Sequence, residues 1–335
     1  MSAVMPGRSV RTAILHLAAQ REVVILGLLV AELALFALLS PNFASLLNIQ
    51  TVLRNSTELG ILAAGMTIVI IQGGIDISVG SVLGIVAFVA GTALIGGVPA
   101  IVVVLIALAV GAVLGLLNGL LVTVGRVPPI IATLGTMSLW RAVIFLLLGG
   151  QFLTGIPSLD LTIERGSMLA MPYSFVLVLV VYVVIWYVMR FRVIGRTIYA
   201  VGNNEEAARL AGLDVTRAKL FSYVTVGALA GLAGLTYTMR LHSVEITVGL
   251  DLALQAIAAV VIGGASITGG RGTVVGTLIG VLFVGFLRNG LVLLGVPSLW
   301  EQAALGFFIL ASASADHIME VRRAARRLAS TAGVA

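Results

Sequence analysis

The chain has no cysteine, which excludes a disulfide framework and any thiolate metal site. Histidine is nearly as scarce, and His16, His242 and His317 are too scattered to suggest a metal cluster. Lysine occurs once, as Lys219 in "RAKLF", so the Gly-Lys-Ser/Thr loop that cradles nucleotide phosphates cannot form. Charge of either sign is thin, with 20 Lys and Arg and 14 Asp and Glu in 335 residues. Strands of about ten alternating polar and apolar residues are missing too, which excludes an outer-membrane barrel.

What fills the space is hydrocarbon. Sixty per cent of the residues are hydrophobic and the mean hydropathy is +1.16. A soluble domain of this length would need more polar covering, because surface never vanishes as domains grow. Runs such as Phe175 to Val188 and Ala100 to Val124 are long enough as helices to cross roughly 30 Å of hydrocarbon. The chain therefore reads as an all-α polytopic membrane protein. No small-residue cleavage site follows the first apolar run, so Val23–Ser40 is read as a retained span.

The sequence predicts ten spans, at 23–40, 59–72, 79–96, 100–124, 129–149, 174–190, 218–239, 252–264, 272–294 and 299–315. Residues 1–22 precede them, 23–315 form the membrane domain, and a basic tail, 316–335, follows. The basic residues test this arrangement. Fifteen fall on one side: Arg8, Arg11, Arg21, Arg126, Arg190, Arg192, Arg196, Arg209, Arg217, Lys219, Arg271, Arg322, Arg323, Arg326 and Arg327. Three fall on the other (Arg54, Arg165 and Arg240), while Arg141 and Arg288 lie within spans. Basic residues mark cytoplasmic loops, so both termini are expected in the cytoplasm. The net charge of +6 belongs to that bias, and no nucleic-acid partner is expected.

One cytoplasmic stretch is unusually charged: "GNNEEAARLAGLDVTR", Gly202 to Arg217. Asn203 with Glu206 fits a capping box, Glu205 and Glu206 suit the positive start of a helix, and Arg209 suits its end. Gly212 supplies a stop. So short a helix is marginal in water alone. Ala207, Ala208, Leu210 and Ala211 would give it a small, smooth face for a groove. The alternative is a solvated loop with one helical turn.

An energy source is not evident. Coupled carriers keep ionisable groups deep in the bilayer. Here Glu32, Arg141, Arg288, Asp76 and Glu301 are the few candidates, with no two on one span at relay spacing. ATP cannot be bound by the phosphate loop. Uphill transport would need a partner, and the charged helix is the natural place for it to dock.

Two glycine-rich segments stand out, "QGGIDISVGSVLG" (Gln72 to Gly84) and "IGGASITGGRGTVVGTLIG" (Ile262 to Gly280). Gly73, Gly74 and Gly80, like Gly263, Gly264, Gly269 and Gly270, permit close helix approach and broken backbone. Asp76 and Ser78 sit before the third span, where Asp76 either caps a helix or contacts substrate. The segments share the pattern GG-x-x-x-Ser/Thr-x-Gly, and each is followed by "NGL" (118–120 and 289–291), which hints at an internal repeat.

At these residues, and in "GLLNGLLV", "PPIIATLGTM" and "AVGNNEEAARLAGLDV", the sequence resembles the membrane permease subunits of ribose-type ABC sugar importers over residues 20–315. The resemblance implies a ten-helix permease working as a dimer, with a second copy or a paralogue. It also implies a cytoplasmic ATP-binding subunit, which would carry the ATP and magnesium, and an extracytoplasmic solute-binding protein. No cofactor, metal or catalytic residue is then expected in this chain. The stretch matching Asn203–Gly212, including Asn204, Glu205 and Arg209, would be the coupling helix on which the ATPase pushes.

A neutral, hydroxyl-rich solute needs weak polar groups along its path rather than buried charge. Asn118, Thr133, Thr136, Ser138, Trp140 and Asn289 could supply them, or could hydrogen-bond helix to helix instead. Trp300 and Glu301 are read as interface markers, and Arg322, Arg323, Arg326 and Arg327 as contacts to anionic headgroups. Asp160 and Glu164 are read as solvated loop charges, with contact to a binding protein as the alternative. The solute stays open among ribose, another pentose, a deoxyhexose and a sugar-like signal. A branched-chain amino acid permease and a stand-alone facilitator are the rival readings.

Overall fold

The computed structural model describes residues 21–158, 166–168, 171–297, 299–312, 314 and 318. The amino-terminal and carboxyl-terminal segments and Asp160, Glu164, Arg165, Arg322, Arg323, Arg326 and Arg327 lie outside that set. The architecture is helical. In chain order the helices are α1 (Arg21–Leu39), α2 (Leu46–Asn55), α3 (Thr57–Ile71), α4 (Val79–Ile95), α5 (Ala100–Thr123) and α6 (Pro129–Leu148). They continue as α7 (Tyr173–Phe191), α8 (Val193–Asn203), α9 (Glu205–Leu210), α10 (Val215–Leu241), α11 (Leu252–Ile262) and α12 (Val274–Leu293), and α13 (Leu299–Ser312) follows. Among the described residues the extended pairing is a two-stranded antiparallel hairpin, β1 (Ser167–Met168) with β2 (Met171–Pro172), pairing Ser167 with Pro172 and Met168 with Met171, and an isolated bridge between Leu153 and Val244.

Six helices (α1, α5, α6, α7, α10 and α12) are long and apolar enough to cross a bilayer. α3, α4, α11 and α13 are apolar but shorter. α3 is apolar all round and every one of its 15 residues is buried, which makes it the central helix, packed against α10, α11, α7 and α12. The long helices instead expose Leu105 on α5, Leu146 on α6 and Val183 on α7. Apolar surface on this scale is what lipid would cover.

Two helices were not expected from hydropathy. α2 is a ten-residue piece capped by Ser45, whose hydroxyl accepts from the Asn48 N–H at 3.3 Å. α8 is amphipathic, burying Thr197, Ile198 and Val201 while Arg196 stays exposed.

Apolar helices gain little hydrophobic energy from one another in lipid, so close packing must hold them. α5 and α10 show how. Ala107, Gly111 and Gly115 recur every fourth residue on α5 and meet Tyr223, Gly227 and Gly231 on α10. A Cβ on Gly111 would strike the Gly227 carbonyl, and one on Gly115 the Tyr223 carbonyl.

Candidate coupling element and outer cleft

The charged stretch folds as the turn between α8 and α10. Its cap is Asn204, not Asn203: the Asn204 side chain accepts from the Ala207 N–H at 2.9 Å, with Asn204 extended at φ −161°. Asn203 is instead the last residue of α8. The reason lies beneath it. Gly202 packs on the Ile71 carbonyl and the Gly270 N–H, which holds the chain helical one residue further than the capping pattern predicts. α9 ends at Gly212, φ +79°, where the Gly212 N–H reaches the Arg209 carbonyl and the Leu213 N–H reaches Ala208.

One side of α9 is fixed and the other is free. Glu205 accepts from Lys219 Nζ at 2.7 Å, tying α9 to α10, and from Arg209 at 3.1 Å. The Lys219 hydrogen bond, ahead of the opposing effect of burial, holds the Glu205 carboxyl below its ordinary range. Ala208 is turned inward, so it cannot share an outward face with Ala207, Leu210 and Ala211 as expected. Glu206, Ala207, Arg209 and Leu210 are exposed, Leu210 at 81%.

Both glycine segments converge under the end of α8, which leads into this element. Gly73 (φ 88°) and Gly264 (φ 89°) each close a helix in the left-handed conformation. The Gly74 N–H returns to Val69 and the Ala265 N–H to Val260, so the two caps are alike. This moves the expected echo by one residue: Gly73 corresponds to Gly264, not to Gly263, and Gly263 sits helically before it. Gly80 packs within α4 on Gly249 while Gly270 (φ 72°) lies in a loop, so the remainder of the echo has no common structure. The Gly270 N–H donates to Ile71 at 2.8 Å, and Gly269 approaches both Gly202 and Gly73. Three backbones cross here with almost no side chain between them.

Asp76 serves the turn. Its Oδ1 accepts from the Ser78 N–H at 2.9 Å and the Ser78 hydroxyl at 2.7 Å, and Asn118 donates to Oδ2 at 3.2 Å. All three residues are buried, and Asn118 also donates to the Ser78 hydroxyl at 2.7 Å, so it links α5 to this turn. Thr133 is buried and donates to Pro129 at 2.9 Å and Ile75 at 3.3 Å, and Thr136 is buried and donates to Thr133. Ser138 lies on the exposed face of α6, and Trp140 is half-buried. Asn289 exchanges amide bonds with Asn48 at 2.8 and 2.9 Å, at the far end of the bundle. The six residues proposed for a path are therefore not brought together within one chain.

The far end carries what hydropathy passed over, a cleft of about 580 Å³ between α2, α3, α10, α11 and α12. Glu58, 2% exposed at its side chain, pairs with Arg240 through two bonds of 3.0 and 3.2 Å. Arg288 pairs with Glu301 at 3.1 Å and with Gln255 at 2.9 Å. Glu301 is thus a buried ion-pair partner rather than an interface marker, whereas Trp300 is exposed. The loop from Glu245 to Asp251 forms the remaining wall. Arg141 on α6 pins that loop by donating to the Ile246 and Val248 carbonyls at 2.9 and 2.8 Å. A sequence signal for these pairs existed, since every partner is a charge at or near a span end, but the pairing is across helices and cannot be read from spacing.

Among the described residues no group of three or more His, Cys, Asp and Glu is placed to hold a metal ion. The arrangement offers two differently built ends on a helical bundle.

Residues 48–313 match the family model described as branched-chain amino acid transport system / permease component. The chain is 39% identical over 299 residues to the ribose import permease protein RbsC of Haemophilus influenzae, covering 88% of this chain and 93% of that one. To RbsC of Bacillus subtilis it is 41% identical over 293 residues, 87% and 91% of the two chains. To the autoinducer 2 import system permease protein LsrC of Enterobacter sp. (strain 638) it is 37% identical over 289 residues, 85% and 84%. No solved structure matches the chain.

Proposed function

The chain belongs to this family of ABC importer permeases, and we propose that it forms the translocation path for a monosaccharide or sugar-like signal in a bacterial inner membrane. It is a multi-pass transport subunit, and hydrolysis of ATP resides in a separate chain. In this reading all ten apolar helices span or enter the bilayer, residues 1–22 and 316–335 are cytoplasmic, and the α9 end of the bundle is the inner end. A second copy or a paralogue completes the path, and an extracytoplasmic binding protein delivers the solute to the cleft end.

The observation that carries the reading is the construction of α9. A six-residue helix does not persist by itself. Here it is capped by Asn204, closed at Gly212, locked by Lys219 and joined to the glycine-packed end of α8, yet Glu206, Ala207, Arg209 and Leu210 are left bare. That is the form of a rigid element awaiting a partner. Motion imposed on α9 passes to the end of α8, where Gly202 packs on Ile71 and Gly270, and from there to the ends of α3 and α11. The segment 203–212 is accordingly the coupling helix.

The family description names branched-chain amino acids, whereas relatives near 40% identity carry the name of ribose. We take the sugar as substrate. Proteoliposomes holding this chain, its ATP-binding subunit and its binding protein should accumulate a labelled monosaccharide only with ATP inside. Competition by leucine but by no sugar would move the substrate to the other class, and uptake without any partner would make the chain a facilitator.

A further inference from the structure

The inner end holds a second cavity, of about 860 Å³, which coupling does not use. It opens where the end of α7, the length of α8, the start of α12 and the start of α1 meet. Its walls include Arg190, Arg196, Glu22, Trp186, Tyr199 and Thr273. Arg190 and Arg196 are exposed and make no hydrogen bond or ion pair among the described residues, although five donors on each guanidinium ask for acceptors. Glu22 uses one oxygen to accept from Thr273 at 3.1 Å, leaving its other oxygen without a partner among the described residues. Tyr199 is occupied, its hydroxyl donating to Gly272 at 2.8 Å, so it contributes a ring wall. Trp186 stands one turn before Arg190 on the same helix face, and indole favours the headgroup level. Val275, on the first turn of α12, is 51% exposed beside the cavity and continues it towards the lipid-facing surface.

We infer that this cleft binds the headgroup of one membrane phospholipid, and that it selects headgroups bearing hydrogen-bond donors, ethanolamine or glycerol, over choline. Two guanidiniums take the phosphate diester, in the manner of basic pockets between helices on the cytoplasmic side. The free Glu22 oxygen accepts from the ammonium or the hydroxyls beyond the phosphate. A choline headgroup has no N–H or O–H to give and so cannot make that hydrogen bond. The bound lipid would brace α8 through the Tyr199–Gly272 bond, within the loop that packs under its end.

The test is native mass spectrometry on the full chain with equimolar phosphatidylethanolamine, phosphatidylglycerol and phosphatidylcholine. Wild type should retain one phosphatidylethanolamine or phosphatidylglycerol in preference to phosphatidylcholine. The double variant R190Q/R196Q should lose retention about 30-fold, from about 1 kcal/mol for each arginine at tenfold per 1.4 kcal/mol. R190K/R196K should restore most of it, which separates charge from misfolding. Glu22→Ala should still bind but cease to discriminate against phosphatidylcholine. Equal retention of the three lipids by wild type, or retention unchanged in R190Q/R196Q, would overturn the site. Displacement of the lipid by millimolar glycerol 3-phosphate would overturn it in favour of a soluble phosphate. A large rise in binding on deleting residues 2–20 would overturn it in favour of the chain's own amino-terminal segment as the occupant.

Discussion

The two ends of this bundle are built from opposite materials. At the end proposed as the inner one, Gly202, Gly269, Gly270 and Gly73 bring three backbones into contact, with almost nothing compressible between them. At the end proposed as the outer one, Glu58, Arg240, Arg288, Glu301 and Gln255 meet through long side chains around open space. A backbone contact passes on displacement, because packed interiors yield little. A side-chain ion pair can exchange partners while the helices that bear it move apart. The contrast suits a machine pushed at one end and required to open at the other.

Breaking the outer end should cost most. Removing one member of a buried pair strands the other charge, which typically costs about 3–5 kcal/mol. For Glu58→Gln we expect the lower limit, about 3 kcal/mol, because the Arg240 side chain is 33% exposed and finds water. Thermal unfolding in detergent measures it. An unchanged melting temperature would show the outer pairs to be ornamental and the comparison false.

Breaking the inner end should cost less energy but more function. In Gly202→Ala the new methyl meets the Ile71 carbonyl and the Gly270 backbone, neither of which can swing aside, and overpacking of this kind costs about 1–3 kcal/mol. Gly135→Ala is the control. Nothing lies within 4 Å of a Cβ there, so stability should hold or rise by about 0.5–1 kcal/mol. Equal effects at the two glycines would mean that the convergence under the end of α8 carries no constraint.

The smallest effect is electrostatic. The Glu205 carboxyl titrates below its ordinary range, so its contribution is complete above the unfolded value of about 4.3 and is lost as pH falls through the lower folded value. The pair is partly exposed and worth under about 1 kcal/mol. Hydrogen exchange of the α9 amides should therefore accelerate as pH falls below 4 relative to the intrinsic rate. Glu205→Gln should remove that dependence, and a dependence that survives the substitution would place the titrating group elsewhere.

Hydropathy was enough to locate the apolar helices, because each is a continuous run bounded by glycine, proline or charge. It overlooked α8, whose period-3.6 burial of Thr197, Ile198 and Val201 is interrupted by basic residues, and α2, which is too short and too polar for a span. The capped helix was legible as a local pattern, but its first residue was not, because the contact of Gly202 with Ile71 and Gly270 decides it from 131 and 68 positions away in sequence. The Ala107-Gly111-Gly115 spacing was present in the sequence and is the missed signal for the α5–α10 contact. The outer pairs showed in the sequence only as charges at or near span ends: Glu58 and Arg240 are 182 residues apart, and only the fold supplies the pairing.

The central claim is that the bare face of α9 is where an ATP-driven partner pushes. The direct measurement is ATPase activity of the reconstituted complex, with and without Glu206→Arg, beside the melting temperature of the permease alone. Glu206 is exposed on α9, so the substitution should leave the permease's stability unchanged while abolishing solute-stimulated hydrolysis. Stimulation that survives with full solute uptake would contradict the assignment of α9 as the coupling helix.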